Sequence, residues 1–264
     1  MRPNALRKSL DGNRTVIGVM ADLASPRMIE FYGHMGFDWV LFDAEHDGVG
    51  VESCYQLATA ADAAGIASVV RVPVNRPEVI MAYAETGVAG IMVPHVRSAE
   101  DAEAFVAAMR YPPAGQRGIA SITRASNYGL TQTPKEYFLS REAQPVGFAL
   151  LEDAEAYEPD ELERIAAVDG VDVICLGTGD LAASLGAPGE KDHPGVLKRI
   201  ELAVAVAKRH GKLVEVSVGA ADPAGLAKAA EMGARLVFTS NTGLLTVAGR
   251  QFLAAARQAL GGAR

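Results

Sequence analysis

Eight short runs of apolar and β-branched residues recur along the chain, separated by segments with helical spacing of their apolar positions. Strands buried on both faces of a parallel sheet are almost continuously apolar, and the helical segments supply the crossovers that parallel pairing requires. Eightfold alternation of strand and helix closes most simply as a barrel. The predicted fold class is therefore α/β, a (β/α)8 TIM barrel. Its strands are predicted at 15–21, 39–45, 68–73, 90–96, 147–153, 171–177, 213–219 and 235–241.

Two segments depart from this regular alternation. Residues 110–144 form an irregular insert rich in Pro, Gly, Ser and Arg, with a helix predicted near 134–140. Inserts of this kind in compact domains are often functional. Beyond Thr242 the pattern predicts one more amphipathic helix, which covers either this barrel or a neighbouring subunit. No linker interrupts the alternation, so residues 1–264 are predicted to form a single TIM-barrel domain.

Composition and charge exclude several classes of protein. The length of 264 residues suits one barrel, and 49% hydrophobic with 22% charged residues is ordinary for a globular protein. The formal net charge of −7 and the scatter of Lys and Arg over the helices argue against nucleic-acid binding. The apolar runs are too short to span a membrane and no secretory signal is legible, so we expect a cytoplasmic location. Cys54 and Cys175 lack metal-type spacing and are expected to be reduced core residues.

Polar residues cluster at the carboxyl ends of five predicted strands. In a TIM barrel these ends lie together at the face where chemistry occurs, so the residues are expected to share one site. A small, anionic ligand would bind there. The residues are Asp43, Glu45, His46 and Asp47 in the second strand and just after it, Arg71 in the third, His95 in the fourth, Glu152 and Asp153 in the fifth, and Asp180 after the sixth.

Glu152 and Asp180 end adjacent strands and are the candidate ligands of a metal ion. Two carboxylates, completed by water and substrate oxygens, suit Mg²⁺ or Mn²⁺. The alternative interpretation is structural: Asp180 caps the helix that follows it, and Glu152 pairs with a basic residue of a loop. Spacing alone does not decide between the two interpretations.

Arg71 and His46 are candidates for charge stabilisation and proton transfer. An unpaired guanidinium inside an apolar strand would be costly to bury. Arg71 therefore forms either a structural ion pair or a fork of donors for a carboxylate or an enolate oxygen. His46 is a candidate proton acceptor near neutral pH, although a lone histidine is more often a cap or a surface residue. No lysine lies at a strand end, as a Schiff-base aldolase would require, so carbanion chemistry would need a metal ion.

At these positions the sequence resembles the HpcH/HpaI family of class II pyruvate aldolases. The resemblance extends in order over most of the chain. The sequence departs from the family at Leu150, where the family usually has a Gln in contact with the 2-keto acid. It also departs at His95, a position that is often apolar in the family, and at Glu215 and Ser217 in the seventh strand, where we expect more apolar residues. The matching phrases are GFDWVLFDAEH, VVRVP, TGVAGIMVPHV, RYPPAGQRGIA, the Glu of ALLED, VDVICLGTGDLAASLG and HPGV.

The resemblance implies a role for each matched residue. Glu152 and Asp180 correspond to the ligands of a divalent metal, which would be Mg²⁺, Mn²⁺ or Co²⁺. Arg71 corresponds to the residue that stabilises the transition state. His46 corresponds to the general base, and Glu85 to the acidic residue that orients it and raises its basicity. The predicted substrate-binding residues are Arg71, Gly179 through its backbone N–H, Asp180, Leu150 and Ser217.

The resemblance also implies an activity and an assembly. The expected reaction cleaves a 4-hydroxy-2-keto acid to pyruvate, or a related 2-keto acid, and an aldehyde through a metal-stabilised enolate. The alternatives are another enolate-forming lyase or decarboxylase, a non-catalytic metabolite-binding barrel, and a phosphate-binding isomerase that uses Gly219 and residues 240–243. We expect a homo-oligomer, a hexamer built as a trimer of dimers, with the last helix exchanged between subunits.

Overall fold

The computed structural model describes residues 4–260, and its centre is a closed barrel of eight parallel strands in chain order. All eight predicted strands are present, and the (β/α)8 fold is confirmed. Each prediction extends one to three residues past the observed carboxyl end, where the chain leaves the sheet. The strands are β1 (Val16–Met20), β2 (Trp39–Asp43), β3 (Ala67–Arg71), β4 (Gly90–Val93), β5 (Val146–Leu151), β6 (Val173–Leu176), β7 (Leu213–Ser217) and β8 (Leu236–Ser240).

Helices connect the strands and cover the barrel. Several begin at a side chain that accepts a backbone N–H of the first turn, as Ser25, Ser98 and Asp222 do. No helix within residues 4–260 is long and apolar enough to cross a membrane. The helices are α1 (Ala5–Asp11), α2 (Pro26–Met35), α3 (Val51–Ala64), α4 (Pro77–Ala84), α5 (Ala99–Met109), α6 (Pro134–Leu139), α7 (Pro159–Ala167), α8 (Thr178–Ser184), α9 (Pro194–Arg209), α10 (Pro223–Met232) and α11 (Asn241–Leu260).

Two of these helices were predicted from the irregular parts of the sequence. The insert contains α6, which starts at a capping box between Thr133 and Glu136. The last helix, α11, runs for 20 residues and leaves large apolar side chains exposed, with Phe252 72% and Leu253 48% accessible. The exchange of this helix between subunits stays a prediction.

The interior of the barrel is filled with side chains and is closed to substrate. Trp39 is fully buried and packs against Phe148 and Phe238. Gly18 makes room for this indole, because a Cβ at that position would lie 2.3 Å from the Trp39 ring. The packed interior forms a floor beneath the carboxyl ends of the strands. We call the open end of the barrel above this floor the mouth, and any chemistry must occur there.

Glu215 is an acidic residue inside this packed interior. Its side chain points inward from β7, in register with Cys175 of β6, and the residue is 3% exposed. Its Oε1 atom has no hydrogen-bond partner among the described residues. Burial raises the pKa of Glu215 to about 8 against the opposing effects of the Cys175 thiol and the charge of Arg71, so the carboxyl is largely protonated at neutral pH. Both Cys175 and Cys54 are free and buried, as predicted.

We predict that Glu215 makes the stability of the fold depend on pH. Its pKa in the folded chain lies above the ordinary value of 4.5, so its contribution is complete below that value and is lost as the pH rises towards about 8. Relative to Glu215→Gln, the free energy of unfolding of the natural protein should fall between pH 5 and 8 by on the order of 3 kcal/mol. Urea unfolding of both proteins at pH 5, 6.5 and 8 measures this. A stability difference that stays constant with pH would contradict the prediction.

Candidate active site

Arg71 is held at the mouth of the barrel by a two-pronged pair with Asp43. The end of β3 lies beside the end of β2 in register, and this brings the two side chains together. Arg71 Nε donates to Asp43 Oδ1 at 3.0 Å, and its Nη2 donates to Oδ2 at 2.5 Å. The backbone N–H groups of Glu45 and His46 also donate to Asp43 Oδ1. Asp43 therefore fixes both the guanidinium and the loop after β2.

The electrostatics of this pair follow from its burial. Burial alone would raise the pKa of Asp43, but the hydrogen bonds and charge of Arg71 outweigh it and lower that pKa. Burial would lower the pKa of Arg71, and the hydrogen bonds and charge of Asp43, joined by the charges of Glu45 and Glu152, raise it instead. Arg71 thus forms the ion pair of the structural interpretation and is a fixed cation at the mouth, while its role as a donor to a substrate oxygen stays a prediction.

Glu152, His95 and Glu45 form a second group at the mouth. The backbone N–H of His95 donates to Glu152 Oε1 at 3.0 Å. One ligand atom from each of the three side chains lies within 4.8 Å of the others, a spacing at which they can share a metal ion. Burial raises the pKa of Glu152, while the hydrogen bond and charge of His95 oppose the rise and the charges of Glu45 and Asp180 add to it. A cation would stabilise these crowded carboxylates.

Asp180 approaches the same site from α8. Gly177, which begins that helix, packs directly on Glu152, because an added Cβ would lie 2.5 Å from the Glu152 Cβ atom. This close approach brings the first turn of α8, with Asp180, near enough for its charge to act on Glu152. The N-cap of α8 is Gly177, so Asp180 is not the helix cap that the structural interpretation required.

The residues present fit a divalent cation. The donors grouped at the mouth are carboxylate oxygens of Glu152 and Glu45 and an imidazole nitrogen of His95, a set suited to Mg²⁺ or to first-row transition metals. The carboxylate of Asp180 lies outside this group, although its charge acts on Glu152. The Oε2 atom of Glu45 is buried and accepts no hydrogen bond from the described residues, although it lies 3.3 Å from Arg71 Nε. Such an oxygen is available to a further positive charge.

His46 lies on the outer edge of the site, and Glu85 does not. The His46 side chain is 65% exposed, and its Nε2 lies 3.7 Å from Glu45 Oε2. Glu85 follows α4 and precedes β4, so it lies at the amino-terminal end of the barrel. There its Oε1 accepts from Arg117 Nε at 3.1 Å and Nη2 at 2.7 Å. Within this chain Glu85 therefore does not contact His46, because a residue before a strand lies opposite the residues after strands, and its orienting role stays a prediction.

The predicted substrate-binding residues Leu150, Gly179 and Ser217 lie in different parts of the barrel. Leu150 faces into the barrel from β5 and is 6% exposed, so it belongs to the apolar floor. Gly179 lies in the first turn of α8, and Ser217 is exposed at the end of β7. Ser217 lines a pocket beside the mouth together with Lys191 and Lys228, two cations that the sequence analysis had not connected with the site.

Comparison with known proteins agrees with this geometry. The sequence profile of the HpcH/HpaI aldolase/citrate lyase family matches residues 17–244. The chain belongs to the HpcH/HpaI aldolase/citrate lyase family. The resemblance drawn from the sequence motifs is therefore confirmed. The residues described above lie at the mouth of a barrel that belongs to a family of aldolases and lyases.

Two curated relatives and one solved structure place the chain within this family. It is 37% identical to the pyruvate aldolase of Rhizobium etli over 209 residues, which cover 79% of this chain and 80% of that protein. It is 37% identical to the 5-keto-4-deoxy-D-glucarate aldolase of Klebsiella pneumoniae over 210 residues, 80% of each. The crystal structure of a family protein from Burkholderia cenocepacia J2315 has a TM-score of 0.89 and 33% identity, and covers 96% of this chain and 99% of that one.

Four residues of the site were seen in the sequence without a role. Asp43, Glu45, His95 and Asp153 were identified only as polar residues at strand ends, and the structure shows that they hold Arg71 and surround Glu152. Their position in the alternation was the available signal. What the sequence did not contain was the direction in which each side chain leaves its loop.

We predict that Arg71→Lys severely impairs the lyase activity of this family member. A compact ammonium cannot reproduce the planar fork that engages Asp43 and faces the mouth. Loss of one such donor to a developing charge costs on the order of 10²–10³ in rate. Steady-state kinetics test this, with Arg110→Lys as the control, since Arg110 pairs with Asp169 away from the mouth. Equal, small effects of the two substitutions would remove Arg71 from the chemistry.

Proposed function

We propose that this protein is a divalent-metal-dependent aldolase that cleaves a 4-hydroxy-2-keto acid to pyruvate, or a related 2-keto acid, and an aldehyde. The observation that carries the proposal is the group that Glu152 forms with Glu45 and His95, whose possible ligand atoms lie within 4.8 Å of one another beside the fixed guanidinium of Arg71. The names of the two aldolase relatives support a hydroxylated keto acid as the substrate.

The metal site and Arg71 have complementary roles in this proposal. A divalent cation held by Glu152 and Asp180 would supply a Lewis acid for the keto acid. Arg71 would donate to the oxygen on which negative charge develops as the carbon–carbon bond breaks. Because Asp43 already fixes the guanidinium at 3.0 and 2.5 Å, Arg71 needs little reorganisation during the reaction.

His46 would move the proton of the substrate hydroxyl. In cleavage the imidazole accepts the proton of the 4-hydroxyl, and in the reverse addition it returns the proton. Its exposed ring at the rim of the mouth suits exchange with solvent between turnovers. The carboxylate near His46 is Glu45, at 3.7 Å, and Glu45 would take the orienting role first assigned to Glu85.

The substrate carboxylate would bind at the start of α8. Backbone N–H groups in the first turn of a helix favour an anion, and Gly179 lies in that turn. The aldehyde half would extend towards the pocket lined by Ser217 and Lys191. Leu150 would contact the substrate only through an apolar surface, since its side chain lacks the polar group usual in the family.

We propose that the chain assembles as a hexamer, a trimer of dimers. The exposed Phe252 and Leu253 of α11 support burial of this helix against another copy. We expect the protein to act in the cytoplasm on small molecules, without a nucleic-acid or membrane partner.

Removal of metal should abolish pyruvate release. The protein is treated with a chelator, dialysed and offered 5-keto-4-deoxy-D-glucarate and shorter 4-hydroxy-2-keto acids, and pyruvate is followed with lactate dehydrogenase. Turnover should return with Mg²⁺, Mn²⁺ or Co²⁺, and Glu152→Gln should prevent its return. Glu155→Gln, at an exposed position three residues away, is the control and should behave as the natural protein.

Two outcomes would contradict the proposed function. Full activity in protein shown by elemental analysis to be metal-free would exclude metal dependence. No pyruvate from any 4-hydroxy-2-keto acid with folded, metal-loaded protein would exclude this aldolase reaction.

A further inference from the structure

We propose that His95 is a third protein ligand of the divalent cation and makes this site prefer Mn²⁺, Co²⁺ or Zn²⁺ over Mg²⁺. The inference rests on the proposed metal site at Glu152. It goes beyond that site because it assigns a nitrogen ligand, His95, to which the resemblance gave no role. It also assigns a metal preference to the site.

The position of the His95 ring is the first support. His95 follows β4 by two residues, and its ring lies among three carboxylates of the mouth. Its Nδ1 atom is 2.8 Å from Asp153 Oδ2 and 3.5 Å from Glu152 Oε1, and its Nε2 atom is 3.7 Å from Glu45 Oε1. Because the ring joins Glu45 and Glu152 in one group of possible ligand atoms, an ion bound to Glu152 would lie within its reach.

The hydrogen bond to Asp153 sets which ring nitrogen is available. A neutral imidazole that donates its Nδ1–H to a carboxylate presents the lone pair of Nε2, the arrangement common to metal-ligating histidines. Asp153 is itself held in place by Arg97, whose Nε lies 3.1 Å from Asp153 Oδ2. The available lone pair of His95 therefore faces the side of the mouth where Glu45 lies.

The backbone of His95 is the second, independent support. Its φ angle is +54°, in the left-handed region that residues other than glycine seldom adopt. Such conformations are concentrated at functional sites. Here it lets the backbone N–H of His95 contact Glu152 while the ring of the same residue remains at the mouth. One residue thus orients the carboxylate ligand and adds its own nitrogen.

The nitrogen changes which metals the site favours. Mg²⁺ prefers an octahedron of oxygen atoms, whereas imidazole is a good ligand of later first-row metals. A site made only of Glu152, Asp180 and water would suit Mg²⁺. Addition of His95 shifts the preference towards Mn²⁺, Co²⁺ and Zn²⁺.

Pulsed electron paramagnetic resonance of bound Mn²⁺ tests the assignment directly. The full-length protein, stripped of metal and loaded with one equivalent of Mn²⁺, should show nitrogen-14 coupling from a bound imidazole. His95→Asn should lose this coupling and bind Mn²⁺ about tenfold or more weakly, with a smaller loss for Mg²⁺. Asn is chosen because it tolerates the left-handed backbone at this position. His46→Asn is the matched control and should keep the coupling.

The outcomes separate this inference from the proposed function. If Mn²⁺ binding is abolished by Glu152→Gln but the nitrogen coupling is absent, or survives in His95→Asn, the metal site stands and the His95 assignment is overturned. If the protein does not bind Mn²⁺, or binds it equally well after Glu152→Gln, the metal site itself fails. Coupling that requires both Glu152 and His95 supports the two together.

Discussion

The convergence of carboxylates on Arg71 is the constraint on which the account of this protein depends. Asp43 neutralises the guanidinium through two hydrogen bonds, but Glu45, Glu152 and Asp180 add further negative charge to the same mouth. Burial raises the pKa of Glu152, and the charges of Glu45 and Asp180 add to the rise against the opposing effect of His95. A cation in the mouth would stabilise this arrangement and would attract a substrate anion to the same place.

The barrel explains why these residues meet although they are distant in the chain. Parallel strands closed into a ring bring every strand's carboxyl end to one face, so alternation alone predicted that Arg71, Glu152 and Asp180 lie at the same face. The same reasoning places Glu85 at the opposite end of this barrel from His46, because Glu85 precedes its strand. Within the chain Glu85 accepts a hydrogen bond from Arg117, so its role towards His46 rests on the resemblance alone.

Other features required the three-dimensional structure. The sequence shows His95 at a strand end, but the left-handed turn that brings its backbone to Glu152 depends on contacts from β5. The sequence also shows Glu215 in an apolar strand, but its isolation follows from the closed packing around it. For His95 the missing information is the direction of the backbone and the side chain, and for Glu215 it is the lack of a hydrogen-bond partner for Oε1 among the described residues. Hydrophobic periodicity encodes neither.

The central claim is that the mouth forms an enolate from a 2-keto acid with the help of a cation, and deuterium exchange into pyruvate tests it most directly. Pyruvate is incubated in D₂O with protein and Mn²⁺, and its mass is followed without any aldehyde partner. The account predicts methyl exchange well above the rate without protein, lost on removal of metal and in Glu152→Gln. Exchange no faster than the rate without protein, or undiminished in metal-free protein, would contradict it.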